Sequence, residues 1–212
     1  MQIDTIMTTL AHTPVAADAT NQYADDGTVG NATRRNNLRL ALELALQHGP
    51  ALLIVGEAPG YNGARRTGVP FTSERILLAG VEPPGIYGTG RGFAKATDDG
   101  RTSAEPTATI VWREVQALGV FAVGWNAYPF HPHRLGQPDS NRLPRAAEIA
   151  VGLPLLAHIC QLYPTATVVA MGNTAARALT TLAIAHTKVR HPAQGGATAF
   201  TSGLRALVKA SN

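Results

Sequence analysis

The sequence predicts an α/β fold, a three-layer sandwich in which a central four-stranded parallel sheet is flanked by helices. Three observations carry that expectation. Apolar runs of strand length recur at "ALLIVG", "VFAVGWN", "TATVVAMG" and, more faintly, "HTKVRHPA". Stretches with helical composition alternate with them, as βα units require. Each apolar run also ends in a turn rich in Gly, Asn or Pro, and the ligand loops of open α/β sheets lie at such carboxyl ends.

Taken in order, residues 1–33 mix Thr, Ala, Asp, Asn and Gly and read as a flexible N-terminal arm, so that a single α/β domain spans 34–212. "NNLRLALELALQH" sets Leu38, Leu40, Leu42, Leu44 and Leu46 among good helix formers, with Asn36 or Asn37 as its cap and Gly49-Pro50 as its end. The first strand follows directly. "SERILLAGV" is the next helix, capped by Thr72 or Ser73. Residues 82–107 are rich in Gly and Pro, too long and structureless for a plain connection, and so either mobile or functional. "ATIVWREVQALG" and "RAAEIAVGLPLLAHICQLYP" complete the helical set, the second with Pro154 at a kink or a break.

Composition narrows the class. Across 212 residues, 45% apolar and 15% charged content with 21 glycines belongs to a folded globular chain rather than a disordered or fibrous one. The net charge of +4 rests on arginine more than lysine, which leans toward a polyanionic partner without deciding it, because the basic residues are scattered. The single cysteine, Cys160, excludes an internal disulfide and any cysteine-only metal site, and it reads as a small buried hydrophobe. No run reaches about 18 apolar residues, and Asp4 stands where a signal peptide would carry positive charge, so a cytoplasmic chain with no membrane partner is expected. Oligomeric state is open.

Four loops at strand ends hold residues able to do chemistry. Glu57, in "GEAP", either orients a water or accepts backbone N–H bonds to order its turn. Gly56 and Gly60 beside it let a ligand approach the backbone. Phe71, in "TGVPF", is either a stacking platform or core. Asn126 offers a donor and an acceptor side by side, the complement of a pyrimidine imide edge, or forms a turn. His191, in "RHPA", is pinned by proline, and as a neutral donor it suits negative charge on a departing group. A metal at His131 and His133 is not expected, since two ligands are too few; one of them near a groove could equally touch a phosphate. "GTGRGF" lacks the flanking strand and the Lys-Ser/Thr pair of a phosphate loop, leaving Arg91 as a possible backbone contact.

Together, "GEAPG" with "TGVPF", "WNAYPF", "NRLPRAAEIAVGLPLL", "VVAMGNTAARAL" and "RHPA" resemble, in order and spacing, the uracil-DNA glycosylase superfamily, most closely its family 4 branch, over about residues 38–208. The resemblance implies hydrolysis of the bond between deoxyribose and uracil, or a related deaminated base, after the nucleotide is extruded from DNA, in base excision repair. It implies Glu57 as the residue that positions or activates water and His191 as the donor to the base O2. Phe71 would stack on the base, Asn126 would read its O4 and N3 edge, and Gly56, Ala58 and Gly60 would border it. Ser73, Arg65, Arg66 and Arg190 flank these loops and are the expected contacts to the DNA backbone, or else ordinary surface.

The chain departs from that pattern in three places. The branch normally carries an iron-sulfur cluster, but Phe130 stands where its second strand has a ligating cysteine and the N-terminal cysteine pair is missing, so no cofactor is expected and packing must take its place. Tyr61, Asn62 and Gly63 replace further acidic residues, leaving water activation to Glu57 alone. "HPAQGG" contains no apolar wedge to fill the gap left by an extruded base. A domain that binds damaged or single-stranded DNA without cleaving it is therefore the alternative.

Overall fold

The computed structural model describes residues 2–211. In chain order the elements are α1 (Gln2–His12), β1 (Ala19–Thr20), α2 (Asn31–His48), β2 (Leu52–Gly56), α3 (Ala64–Thr67), α4 (Glu74–Ala79), a 3₁₀ turn (Thr89–Arg91), α5 (Pro106–Leu118), β3 (Ala122–Asn126), β4 (His131–Pro132), α6 (Ala146–Leu162), β5 (Thr167–Met171), α7 (Asn173–Thr181), β6 (Thr187–Val189) and α8 (Ala197–Ser211). β2, β3, β5 and β6 form the expected four-stranded parallel sheet in the order β3-β2-β5-β6, while β1 and β4 pair separately and antiparallel.

Strand periodicity explains the three layers, because alternate side chains point to opposite faces. Leu53, Val55, Val123, Trp125 and Ala170 share one core with residues of α1, α2, α6 and α7. Leu52, Ile54, Ala122, Val169, Met171 and Val189 share the other with Leu77 of α4, Val111, Trp112 and Val115 of α5, and Phe200 and Leu204 of α8. Sealed on both faces, β2 and β3 are buried throughout and β5 over its last three residues, whereas β6 at the edge leaves Thr187 and Lys188 exposed.

The register places the functional ends at one level. Gly56 pairs with Asn126, Val55 with Ala170, and Met171 with Val189. The loops leaving β2, β3, β5 and β6 therefore start side by side, though they are far apart in the sequence.

Several expectations are corrected. The N-terminal arm is folded: Ile3, Ile6, Met7 and Leu10 form a buried helical face, and Tyr23 is buried with them in the first core. α2 begins at Asn31 after Gly30, whose left-handed φ of 87° and contact with the Ala96 carbonyl, 2.0 Å from where a Cβ would stand, leave no place for a side chain. Asn37 is not a cap; its buried amide binds the Thr67 carbonyl and both backbone groups of Ala94. α6 runs unbroken through Pro154, because Pro154 and Ala150 lie on its exposed side, where water can take the carbonyl that proline leaves unbonded.

Residues 82–107 are held in place. Phe93 is buried edge-on to Tyr87, and the Ser103 amide donates to the buried Glu74 carboxylate at 2.7 Å. Arg91 is ion-paired with Glu82 and donates to the Tyr87 carbonyl, which commits it to its own loop rather than to a phosphate.

Candidate active site

A cleft of about 900 Å³ opens at the carboxyl ends of the parallel strands. Glu57, Ala58, Gly60, Phe71, Asn126, Arg190 and His191 all line it, so residues from the end of β3 and from three separate loops meet in one cavity. Gly56 is not itself among the lining residues, but it is what allows two of them to meet. A Cβ on Gly56 would stand 2.7 Å from the Phe71 ring and 2.9 Å from the Asn126 Oδ1. One on Gly124, in the adjacent strand, would stand 2.7 Å from the same ring. Two glycines in neighbouring strands thus make the recess that the aromatic ring occupies, and the amide sits at its edge.

Phe71 holds a left-handed backbone, with φ of 55°, which is uncommon for a bulky residue. Its carbonyl accepts the indole N–H of Trp112 at 2.8 Å, a bond that helps fix this turn. Asn126 is 3% exposed, and among the described residues its side-chain amide has no hydrogen-bond partner. Buried polar groups are nearly always satisfied, so an amide aimed into a cleft without a protein partner is available to a ligand.

Glu57 accepts a hydrogen bond from the Thr174 Oγ at 2.5 Å. Its backbone carbonyl takes the Tyr128 N–H, and the Gly56 carbonyl takes that of Ala127, tying the ends of β2 and β3 together. Thr174 is the second residue of α7, so the carboxylate lies at a helix N-terminus, where negative charge is favoured. The sequence reading missed Thr174; its signal was the small-polar turn "GNT" directly after a buried strand.

His191 Nδ1 accepts the Ala193 backbone N–H at 3.1 Å. A neutral ring bonded this way carries its proton on Nε2. Burial is the main influence pulling the His191 pKa below its ordinary value, with the Glu57 and Glu105 carboxylates pulling the other way. The turn behind it needs Gly196, because a Cβ there would lie 2.0 Å from the His191 carbonyl oxygen.

The expected DNA-backbone residues divide. Arg190 is exposed on the cleft rim. Arg66 is 7% exposed and spent on Glu74 and Asp99 at 3.0 and 2.9 Å, so it holds the 97–103 loop rather than a phosphate. Ser73 is fully buried at the start of α4 and cannot reach DNA. Arg65, on α3, bonds the Pro138 carbonyl and Asp139, which ties α3 to the loop after β4. Two cations that the sequence reading passed over, Arg177 and Lys188, line the cleft beside Arg190 and are exposed. Among the described residues, neither Arg177 nor Arg190 has an ion-pair partner.

His131 and His133 are buried and spoken for: the His131 ring nitrogens lie 2.8 and 3.1 Å from the Pro59 and Pro138 carbonyl oxygens, and His133 Nδ1 lies 2.9 Å from that of Arg134. Neither is placed to touch a phosphate. No group of three or more potential metal ligands occurs among the described residues.

An iron-sulfur cluster does not fit the residues present. Phe130 is fully buried, edge-on to Tyr128 at 5.4 Å and to Tyr23 at 6.5 Å between ring centroids. Tyr23 donates to the Gly68 carbonyl at 2.8 Å, so an aromatic cluster joins the N-terminal segment to the region after β3. The chain's one cysteine, Cys160, lies on α6, partly buried against the first core, which pushes its thiol up to about 11.

A family model for the uracil DNA glycosylase superfamily matches residues 45–208. The chain belongs to that superfamily. No curated protein matches it closely enough to add a named relative. The matched span contains the whole parallel sheet and every cleft residue named above. A DNA glycosylase-type function, with DNA as the partner, follows from membership at that level. No helix among the described residues is long and apolar enough to cross a membrane.

Proposed function

We propose that this chain is a monofunctional DNA glycosylase that hydrolyses the N-glycosidic bond of uracil in DNA. The observation that carries the reading is the unpartnered Asn126 amide at the edge of the Phe71 ring, in a cleft that also holds Glu57 and His191. A pyrimidine laid on Phe71 would offer its O4 acceptor and N3 donor to one amide, which supplies the complementary pair. A stacked duplex base cannot reach such a recess, so the nucleotide must be extruded first.

The chemistry assigns each group a task. As the bond between C1′ and N1 breaks, its electron pair goes to the base and positive charge grows on the sugar. His191 donates from Nε2 to O2, where the base anion forms. Glu57, fixed by Thr174, holds the water that attacks C1′ and takes up its proton. The products are free base and an abasic sugar. Arg190, Arg177 and Lys188 supply positive charge on one side of the opening for the flanking phosphates.

The test is to incubate the purified protein with uracil-containing single- and double-stranded oligonucleotides, then cleave abasic sites with alkali. Strand cleavage that depends on uracil is expected. Tight binding with no base release would instead identify a non-cleaving DNA-binding domain. A second reading, that the site takes other deaminated bases, is favoured by Gly60, where a Cβ would meet nothing nearer than Asn141 Oδ1 at 3.9 Å. Chromatography of bases released from matched oligonucleotides carrying uracil, hypoxanthine, xanthine or thymine opposite guanine separates the two.

Thr174 provides a finer check. Removing a hydrogen bond to the half-buried Glu57 carboxylate costs enough to slow turnover by about 10-fold. Thr174→Val is thus expected to lower kcat with little change in KM, and Thr174→Ser to recover most of it. Loss in KM alone would show that Thr174 does not act through Glu57.

A further inference from the structure

We infer that Leu143 is the wedge that enters the base stack when a nucleotide is extruded from duplex DNA. The inference rests on the reading of the chain as a base-extruding glycosylase. An extruded base leaves a hole that a protein side chain can fill, and apolar wedges do this where proteins unstack DNA. The loop after His191 offers Pro192, which is buried, and otherwise only Ala193, Gln194 and two glycines.

Five large apolar side chains are well exposed: Val29, Leu46, Leu135, Leu143 and Val151. Single exposed leucines are ordinary. Of the five, Leu143 alone lines the cleft, and it is 72% exposed. It stands in the loop between β4 and α6, on the same opening as Asn141.

The backbone beneath this side chain is clamped. The Arg142 guanidinium donates to the carbonyls of His133, Asp18 and Leu143 itself, and to both Glu148 oxygens at 2.7 and 2.6 Å. Asn141 Oδ1 accepts the Tyr61 N–H at 3.0 Å, joining this loop to the one that carries Glu57. Pro144 has its own φ locked and restricts Leu143 before it to extended backbone. An apolar chain with nothing packed over it, on a pedestal tied to the catalytic loop, can penetrate DNA without first being ordered, and so avoids that entropy.

The test compares wild type with Leu143→Ala on matched substrates, using Leu135→Ala as an exposed leucine outside the cleft and thermal melting to check folding. 2-Aminopurine beside an abasic analogue in a duplex reports unstacking whether or not the protein cleaves. Wild type should raise its fluorescence on binding, and Leu143→Ala should lose at least half of that rise. For uracil release, the duplex-to-single-strand rate ratio should fall by about 10-fold, the scale set by burying a leucine side chain. Leu143→Met should restore much of both signals. A wild-type fluorescence rise in Leu143→Ala, or equal loss on both substrates, would overturn the assignment. Absence of uracil release by wild type would refute the proposed activity, while the fluorescence still decides on the wedge.

Discussion

Asn126→Ala is expected to lower uracil release by about 1,000-fold or more while leaving slow release of other bases little changed. Sites built to hydrogen-bond a substrate group reject analogues lacking it by about 10,000-fold or more, because buried polar groups are then left unpaired. The amide is nearly sealed and has no protein partner among the described residues, so its removal breaks no internal bond that would unfold the sheet end. Single-turnover release rates for uracil and competing bases in one oligonucleotide context measure the effect. Equal loss across all bases would make Asn126 a structural residue.

His191→Ala should reduce kcat by about 100- to 1,000-fold, the range for removing one donor to a developing anion, with a much smaller change in DNA affinity. Its pH dependence follows from burial. The folded protein lowers the His191 pKa from the ordinary 6.5, so the neutral donor persists below that value. Activity should stay level as pH falls past 6.5 and then drop through the lowered pKa, and the His191→Ala variant should lack that acid limb. Stability has the same sign: the His191 contribution is complete above the unfolded pKa and is lost as pH falls through the folded one. A defect confined to DNA binding would contradict the role.

What the sequence made legible was the set of strand ends. Apolar runs closed by "GEAPG", "WNAYP", "GNT" and "RHPA" mark four places where a parallel sheet opens, and the register brings them to one level. That Gly56 and Gly124 both face the Phe71 ring was not legible, since it depends on a positive φ at Phe71 and on two strands pairing in register. The fate of the arginines was hidden for a similar reason. Arg66 and Arg190 look alike in the chain, but Arg66 is buried against Glu74 and also reaches Asp99, 33 positions away. α1 was legible and missed: Ile3, Ile6, Met7 and Leu10 follow helical spacing, obscured by the threonines and other small residues around them.

The central claim is that Phe71, Asn126 and His191 bound a single recess shaped for one pyrimidine. A crystal structure of the protein soaked with free uracil tests it most directly. The ring should lie flat on Phe71, with O4 and N3 bonded to the Asn126 amide and O2 within hydrogen-bond distance of His191 Nε2. Uracil bound elsewhere, or seated in the cleft without touching Phe71 and Asn126 together, would contradict the account.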